Sequence, residues 1–364
     1  MEISNMEKHW IWLASAEDMT GRRFYQLLAQ YEDPREIAEN LGDPALRFLG
    51  EKCLASLRAG AAPGAMDAML ESLERSGQRV LTRLSPDWPE AFDGIVDPPH
   101  ILYLAGEGFP QGDRQTAVVG SRRASRDGLR AAREISEGLA REGVTVLSGM
   151  ARGIDTQAHV GCLDGGGRTV AVLGCGLDVV YPPENRALRD RILSSGGLLV
   201  GEYAPGTPPV SGHFPRRNRL ISALSQAVIV VEGERTSGAM ITANLALEQG
   251  RDVFAVPGSI YAPMSVGPNN LIRDGAPPIL SHWDLLESMH WGNRPARNAV
   301  KKRQVELSPQ EKRIVDALAI EEKSFEELAL TTGFTTAELN SLLTILELRG
   351  IILKAPGQMF RSNL

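Results

Sequence analysis

Three arginines fall within the segment 214–219, which reads Phe-Pro-Arg-Arg-Asn-Arg. A guanidinium group binds phosphate oxygens through paired hydrogen bonds and stacks on bases, and the ring of Phe214 is able to stack with any base. This combination suits a ligand in which phosphates alternate with bases. A solvated helix start would also explain an isolated arginine cluster, so the interpretation depends on what the rest of the chain offers.

The chain offers further anion-binding residue types directly after its predicted strands. Glycine lets a backbone approach a ligand closely, and serine hydroxyls and the N–H groups at helix starts bind anions. Because ligands bind outside the carboxyl ends of strands in open α/β sheets, these turns and Arg217 predict one anion-binding face. The four turns contain Gly120-Ser121-Arg122, Ser148-Gly149 with Arg152, Gly174-Cys175-Gly176, and Ser237-Gly238.

The chain lacks the sequence motifs that two classes of enzyme require. The chain has no G-x-x-x-x-G-K-[ST] phosphate loop, which argues against a P-loop ATPase, and no G-x-G-x-x-G fingerprint, so a dinucleotide cofactor is not supported. No lysine occurs between Lys52 and Lys301, which excludes a Schiff-base lysine there, although codon usage explains this absence equally well. We therefore expect no cofactor.

Two other features have both a chemical and a structural interpretation. Asp155 and His159 are one helical turn apart and could chelate a metal, but no third ligand accompanies them, so we expect them to fix a helix start and pack locally. Cys175 could be a nucleophile, but no base is recognisable near it, so we expect a buried, unreactive thiol. The sequence thus predicts no metal site and no catalytic residue.

Composition limits the class of protein. With 364 residues, of which 43% are hydrophobic, the chain is long enough for two or three domains with a sizeable core. The net charge of −6 means that nucleic-acid binding requires a local basic groove rather than overall charge. An odd count of three cysteines, together with the absence of a signal pattern or a long apolar run, predicts a soluble cytoplasmic protein.

Patterning predicts an α/β protein with an extended Rossmann-like, doubly wound parallel sheet. We assign residues 1–77 to a small helical domain, 78–288 to the sheet domain, 289–306 to a polar, basic linker and 307–364 to a winged-helix domain. Residues 79–106 read as an irregular extension that leads into the sheet. The predicted strands are short and valine-rich, as buried parallel strands are: 117–119, 145–147, 169–173, 198–200, 227–231, 253–256 and 278–280.

The winged-helix prediction rests on helix caps. Three S/T-x-x-E capping boxes begin at Ser308, Ser324 and Thr335, and each predicts the start of a helix. Gly350 ends the third helix, and two short strands flank a turn at 355–358. From Pro309 onward the chain has eight acidic and six basic residues, which favours a protein-contact or auxiliary role over reading of the major groove.

Read together, these motifs resemble the DprA/Smf family of DNA-processing proteins. The resemblance covers essentially 78–288 and is weaker at both ends. It rests on matched segments in the same order: 119–122, 148–159, 214–224, Ser237-Gly238 with Thr242-Ala243, 254–259, and Ser265, Gly267, Asn269, Leu271-Ile272 and Gly275-Ala276.

This resemblance implies sequence-independent binding of single-stranded DNA, loading of RecA recombinase in natural transformation and recombination, and a homodimer. Single-strand-binding protein is a further partner to consider, and no membrane is involved. The helical amino-terminal domain would match the family's sterile-alpha-motif-like (SAM-like) domain. The resemblance places Arg122, Phe214, Arg217, Asn218 and Arg219 in the DNA groove; by position we add Arg216, Ser121, Ser148, Gly149, Arg152, Ser237 and Gly238.

Two departures and two alternative functions accompany this interpretation. The sheet domain lacks the lysines common near the groove in the family, and Met19-Thr20-Gly21 lacks the paired glycines of a helix-hairpin-helix, so DNA contact by the helical domain is not expected. One alternative is a nucleotide-processing enzyme of the lysine-decarboxylase-like type, but 235–238 lacks that group's P-G-G-x-G-T-x-x-E motif. The other is a transcription regulator, suggested by the winged helix.

Overall fold

A computed structural model describes residues 4–31, 33–110, 114–292, 307–318, 322–349, 351–355 and 359–362. The chain divides into two compact units, Met1–Gly292 and Asn293–Leu364. No helix in the described ranges is long and apolar enough to span a membrane. Most of the predicted linker 289–306, namely 293–306, lies outside the described residues, as do Gly350 and residues 356–358 of the turn predicted at 355–358.

Five α-helices precede the sheet in the described part of the chain. The first three begin at an N-cap residue whose side chain accepts a hydrogen bond from a backbone N–H of the helix: Ser4, Thr20 and Asp33. The start of each of these helices is therefore determined by the local sequence. The helices are α1 (Asn5–Ala14), α2 (Gly21–Gln30), α3 (Pro34–Glu39), α4 (Glu51–Gly60) and α5 (Ala65–Arg75).

The large unit is built on one eight-stranded sheet with the order β1-β2-β6-β5-β4-β3-β7-β8. The first two strands pair antiparallel, β2 pairs antiparallel with β6, and all other pairs are parallel. The strands are β1 (Gln78–Leu81), β2 (Leu102–Gly106), β3 (Arg114–Val119), β4 (Val144–Ser148), β5 (Thr169–Leu173), β6 (Leu198–Gly201), β7 (Ala227–Val230) and β8 (Asp252–Ala255). The predicted α/β sheet is therefore confirmed.

Helices cover both faces of the sheet, which explains why its strands are apolar on both sides. One face packs against α9, α10 and α11, and the other against α6, α7 and α12. These helices are α6 (Arg126–Arg141), α7 (Ile154–Asp164), α9 (His213–Ala223), α10 (Gly238–Glu248), α11 (Val266–Arg273) and α12 (His282–Ser288), with α8 (Arg186–Ser194) beside β6.

Two local predictions about the sheet need correction. The region 79–106 is not only an irregular extension, because β1 and β2 add two antiparallel strands to the sheet edge. The predicted strand 278–280 is not a strand, since only Pro278 forms an isolated bridge, to Ala255. Pro277 and Pro278 both lack an N–H to donate, so this segment adds only a single bridge to β8.

The helical segment shares a hydrophobic core with the sheet. Ile11, Phe24 and Leu57 belong to the same buried cluster as Tyr103 of β2 and Leu199 of β6. Two polar contacts join the same parts: the Trp10 indole donates to the carbonyl of His100 (3.1 Å), and Ser15 and Tyr103 share a hydroxyl hydrogen bond (2.8 Å). The boundary at residue 77 stays a prediction.

The second unit has the three helices and antiparallel sheet of a winged helix. All three predicted capping boxes are present, at Ser308, Ser324 and Thr335, with both hydrogen bonds of each box formed. The elements are α13 (Pro309–Ala317), β9 (Lys323–Ser324), α14 (Phe325–Thr332), α15 (Thr336–Leu348), β10 (Ile352–Ala355) and β11 (Met359–Ser362), with strand order β10-β11-β9.

Candidate nucleic-acid interface

A cavity of about 530 Å³ opens where the strand order reverses. The chain leaves β3 toward α6 on one face of the sheet and leaves the neighbouring β7 toward α10 on the other face, so a crevice forms between them at the carboxyl ends of the strands. We call this the switch-point cavity. Its walls include Val119 to Arg123 after β3, Thr236 to Ala239 after β7, and the first turns of α9.

Helical spacing decides which part of 214–219 faces this cavity. Phe214, Arg217, Asn218 and Ile221 follow one another at intervals of three, one and three residues, so they share one face of α9, and all four line the cavity. Arg216 and Arg219 lie on other faces of the same helix. The three arginines of the cluster therefore have different surroundings.

An aromatic and cationic platform lies at the cavity wall. The guanidinium carbon of Arg122 is 5.2 Å from the ring centroid of Phe214, and the Tyr181 ring lies 5.4 Å from the same centroid, tilted by 35°. Arg122 is exposed and has no ion pair among the described residues, while Phe214 is half-buried. The platform thus pairs a cation with the aromatic ring over which it lies, at the cavity wall.

Arg217 lies beneath the cavity and is only 3% exposed. Its guanidinium donates to the carbonyl oxygens of Gly149 (2.7 Å) and Val172, and its Nε donates to the Asn218 side-chain oxygen (3.2 Å). Burial lowers the pKa of Arg217 to about 10, against the opposing charge of Asp155, so the group stays cationic at neutral pH.

The position of the Arg217 guanidinium leaves no space for a side chain at residue 149. A Cβ at this position would lie 2.6 Å from the guanidinium carbon of Arg217, which is closer than side-chain atoms approach each other. The sequence predicted that a ligand would make this close approach, and the structure shows that a side chain of the protein makes it. Arg217 and Gly149 are therefore positioning residues for the loops after β4 and β5.

The start of α10 supplies polar groups to the opposite wall. Asn218 donates through its side-chain amide to the carbonyl of Gly238 (3.2 Å), which ties α9 to α10. Ser237 is the N-cap of α10, and its buried hydroxyl has no partner within the described ranges. Since the first N–H groups of a helix lack intrahelical partners, this wall suits an anion. On the facing loop, the Ser121 hydroxyl accepts from the Arg123 amide (3.0 Å).

Several predicted residues do not line this cavity, which corrects the expected groove. Ser148 is fully buried and donates to the carbonyl of Val118 (2.7 Å). Arg152 is exposed, pairs with Glu184 and borders a small adjoining cleft with Gly149. Arg216 faces a different cavity, on the other side of α9.

Arg219 is the clearest correction, because its guanidinium is buried in an ion pair. It bonds both carboxylate oxygens of Glu202 (2.6 and 2.7 Å) and the carbonyl of Asp97 (2.7 Å). Burial acts to raise the pKa of Glu202, but the charge and hydrogen bonds of Arg219 outweigh it and hold that pKa below its ordinary value. Arg219 has no donor to offer a ligand in the switch-point cavity.

Asp155 and His159 act separately. The Asp155 carboxylate accepts from the amides of Gly149 (3.2 Å) and Ala151 (3.3 Å), and it lines the cavity beside Arg217. His159 is fully buried and contacts the hydroxyl of Thr169 (2.7 Å), and burial lowers its pKa to about 3. Cys175 is buried as well, and burial raises the pKa of its thiol.

The sequence does not identify Tyr181 as a residue of the site, because it follows β5 by eight residues, beyond the immediate strand-end turn, and its contact with Phe214 is made only in the folded chain. Asp155 lies in the first turn of α7, as predicted, but its place in the cavity wall near Arg217 could not be predicted, because the two residues are far apart in the chain. The one signal that could have identified Tyr181 is its position as an aromatic residue soon after the glycine-rich turn Gly174-Cys175-Gly176.

Two family models match the chain. A family model described as DNA recombination-mediator protein A matches residues 79–290, and one described as the DprA winged helix domain matches residues 299–358. The chain belongs to the DNA recombination-mediator protein A family. The resemblance to the DprA/Smf family that the motifs predicted is thereby confirmed.

Individual relatives of this DNA-processing family match over much of their length. Protein Smf of Escherichia coli (strain K12) is 37% identical over 294 residues, covering 79% of this chain and 79% of that protein. DNA processing protein DprA of Streptococcus pneumoniae is 43% identical over 203 residues, covering 55% of this chain and 70% of that protein.

Two solved structures of the family are similar to this one. The X-ray structure of DNA processing protein A from Streptococcus pneumoniae superposes with a TM-score of 0.63 at 34% identity and covers 79% of this chain and 98% of that chain. DNA processing protein A from Helicobacter pylori, described for its unique single-stranded DNA binding mode, gives a TM-score of 0.52 at 28% identity, covering 60% and 97%.

The Arg219–Glu202 pair generates a stability prediction. We expect Arg219→Met to cost about 3–5 kcal/mol of unfolding free energy, because it leaves the Glu202 charge buried without a partner. Glu202 has a lowered pKa in the folded state, so the pair stabilises above the ordinary glutamate pKa, and its contribution is lost as the pH falls through the lowered value. Chemical denaturation at neutral and acidic pH measures both effects.

The matched control is Arg216→Met, on the same helix but with its side chain 31% exposed. A loss for Arg219→Met no larger than for this control would contradict a structural role. The double variant Arg219→Met with Glu202→Met should recover much of the lost stability.

Proposed function

We propose that this protein binds single-stranded DNA, without sequence preference, in the switch-point cavity. The observation that carries the proposal is the Arg122–Phe214 contact, which joins an available cation to a half-buried aromatic ring at the cavity wall. Stacking on a ring tolerates every base, and a guanidinium binds phosphate regardless of sequence. Duplex DNA hides its base faces inside the stack, so it cannot use the ring.

The proposed site assigns separate roles to the predicted residues. Arg122 and the N-terminus of α10 at Ser237 and Gly238 would bind phosphates, and Phe214 would stack with a base. Ser121 and Asn218 would add hydrogen bonds. The description of the Helicobacter pylori relative, which names single-stranded DNA binding, supports this ligand.

We further propose that the bound strand is handed to RecA recombinase during DNA uptake and recombination. A protein that holds a strand by passive contacts needs a partner to carry out strand exchange, and the family description as a recombination mediator supports this role. A homodimer, and contact with single-strand-binding protein, belong to the same proposal. We place the activity in the cytoplasm, in keeping with three free cysteines.

The winged helix does not favour the transcription-regulator alternative. Its helix α15, in the position of a recognition helix, contains neither lysine nor arginine, and its exposed residues include Asn340, Thr344 and Glu347. A helix that reads the major groove usually carries basic residues that contact phosphates and guanine edges. We therefore assign 307–364 an auxiliary or protein-contact role.

The first expected outcome concerns strand preference. The purified protein should bind oligo-dT and mixed-sequence single strands with similar affinity, and both far more tightly than a duplex of equal length. Its affinity should fall as salt rises, since each neutralised phosphate releases counterions. Fluorescence anisotropy titrations at several salt concentrations measure this. Equal affinity for the duplex would contradict the proposal.

The second expected outcome concerns the partner. The protein should speed RecA-driven strand exchange on DNA coated with single-strand-binding protein and should turn over no nucleotide by itself. The assay compares the wild type with Arg122→Ala, which should stimulate less. If the wild-type protein does not change the rate of RecA-driven strand exchange, recombinase loading is refuted. If the protein turns over a nucleotide and Arg122→Ala abolishes that turnover, the enzyme alternative is favoured.

A further inference from the structure

The first turn of α9 separates two cavities. The second, of about 690 Å³, lies between the α1–α2 connection and the ends of β2 and β6. We call it the junction cavity. His213 and Arg216, three residues apart on α9, line the junction cavity, whereas Phe214 and Arg217 line the switch-point cavity.

We propose that the junction cavity is a second nucleotide subsite, so that a DNA strand leaving Phe214 crosses the start of α9 and places its next base and phosphate there. This inference rests on the proposed single-stranded DNA binding and names the continuation of the strand beyond that site.

Arg216 supplies the phosphate contact. Its Nε is buried and forms an ion pair with Asp97 (3.5 Å) but no hydrogen bond, and no hydrogen bond of its terminal nitrogens is found in the described part of the chain. Glu202 also lines this cavity, and Arg219 bonds both of its carboxylate oxygens, so most of its charge is compensated by that partner. Arg216 is therefore a partly exposed guanidinium with free donors at the rim of a cavity, as phosphate binding requires.

Tyr203 and His213 supply a base-stacking surface. Their rings stack with centroids 4.0 Å apart and planes 18° apart, and both residues are half-buried. Burial lowers the pKa of His213, so its ring is neutral near pH 7 and the pair presents uncharged aromatic surface. The Tyr203 hydroxyl is buried and has no hydrogen-bond partner among the described residues, so the exposed part of this residue is ring surface.

Acidic groups on the far wall orient the nucleotide. Glu17 and Asp18, in the α1–α2 connection, line the same cavity and repel a phosphate. Carboxylates accept hydrogen bonds from base N–H groups, which every base has, including N3–H of thymine. The phosphate therefore belongs beside Arg216, and the base edge points toward the α1–α2 connection. This arrangement also gives the helical segment a role in DNA binding, through the wall that it contributes.

The test is a length series in the full chain. Anisotropy titrations with oligo-dT of about three to about twelve nucleotides cover the switch-point cavity alone and then both cavities. We expect Arg216→Gln and Tyr203→Ala each to weaken binding of the longer oligonucleotides about tenfold and to leave the shortest within about twofold of wild type. Arg130→Ala, an exposed arginine on α6, is the matched control and should change neither.

Each other outcome overturns a specific claim. If Arg216→Gln loses the same affinity at every oligonucleotide length, Arg216 belongs to the first site. If neither variant loses affinity at any length, the junction cavity does not bind DNA. Both results contradict the second subsite. If wild type binds no oligonucleotide, the proposed function itself fails. Because Tyr203→Ala could unfold the chain, thermal melting accompanies each titration, and cross-linking of 5-iodouracil oligonucleotides to Tyr203 in the wild type gives an independent readout.

Discussion

The candidate site depends on one buried cation. Arg217 donates to the carbonyls at the ends of β4 and β5, and its charge faces Asp155 at the start of α7. A buried guanidinium is costly unless its donors are bonded and its charge is compensated, so these neighbours constrain one another. Gly149 must lack a side chain, and α9 must begin where it does. That position of α9 brings Phe214 and Asn218 to the cavity.

The same constraint divides the arginines by function. Arg217 and Arg219 are buried and hold hydrogen bonds inside the protein, Arg217 through Nε and one terminal nitrogen, and Arg219 to Glu202 and the Asp97 carbonyl. The guanidinium groups of Arg122 and Arg216 form no hydrogen bond among the described residues and lie at cavity walls. A short basic cluster thus combines structural and ligand-facing arginines, and the net charge of −6 is compatible with DNA binding because the available cations are local.

The sequence was informative wherever local rules decide structure. Valine-rich runs identified the parallel strands, and capping boxes located the helices of the winged unit. It was misleading where a partner is distant in the chain: Glu202 and the Asp97 carbonyl, which bury Arg219, are 17 and 122 residues away from it. The antiparallel strands β1 and β2 were missed for a similar reason, since β2 is ordered by pairing with β6. The helical periodicity of α9 could have predicted that Arg217 and Arg216 lie on different faces of the helix. It could not have predicted which of the two is buried.

The central claim is that the Arg122–Phe214 platform binds DNA and is not merely a packing contact. The most direct measurement is the single-stranded DNA affinity and the melting temperature of the same two variants, Phe214→Ala and Arg122→Ala, with Arg130→Ala as control. Our account predicts a loss of about 1–3 kcal/mol of binding free energy for each variant, with melting temperatures close to wild type. A lowered melting temperature for Phe214→Ala, with unchanged affinity in the folded state, would contradict it.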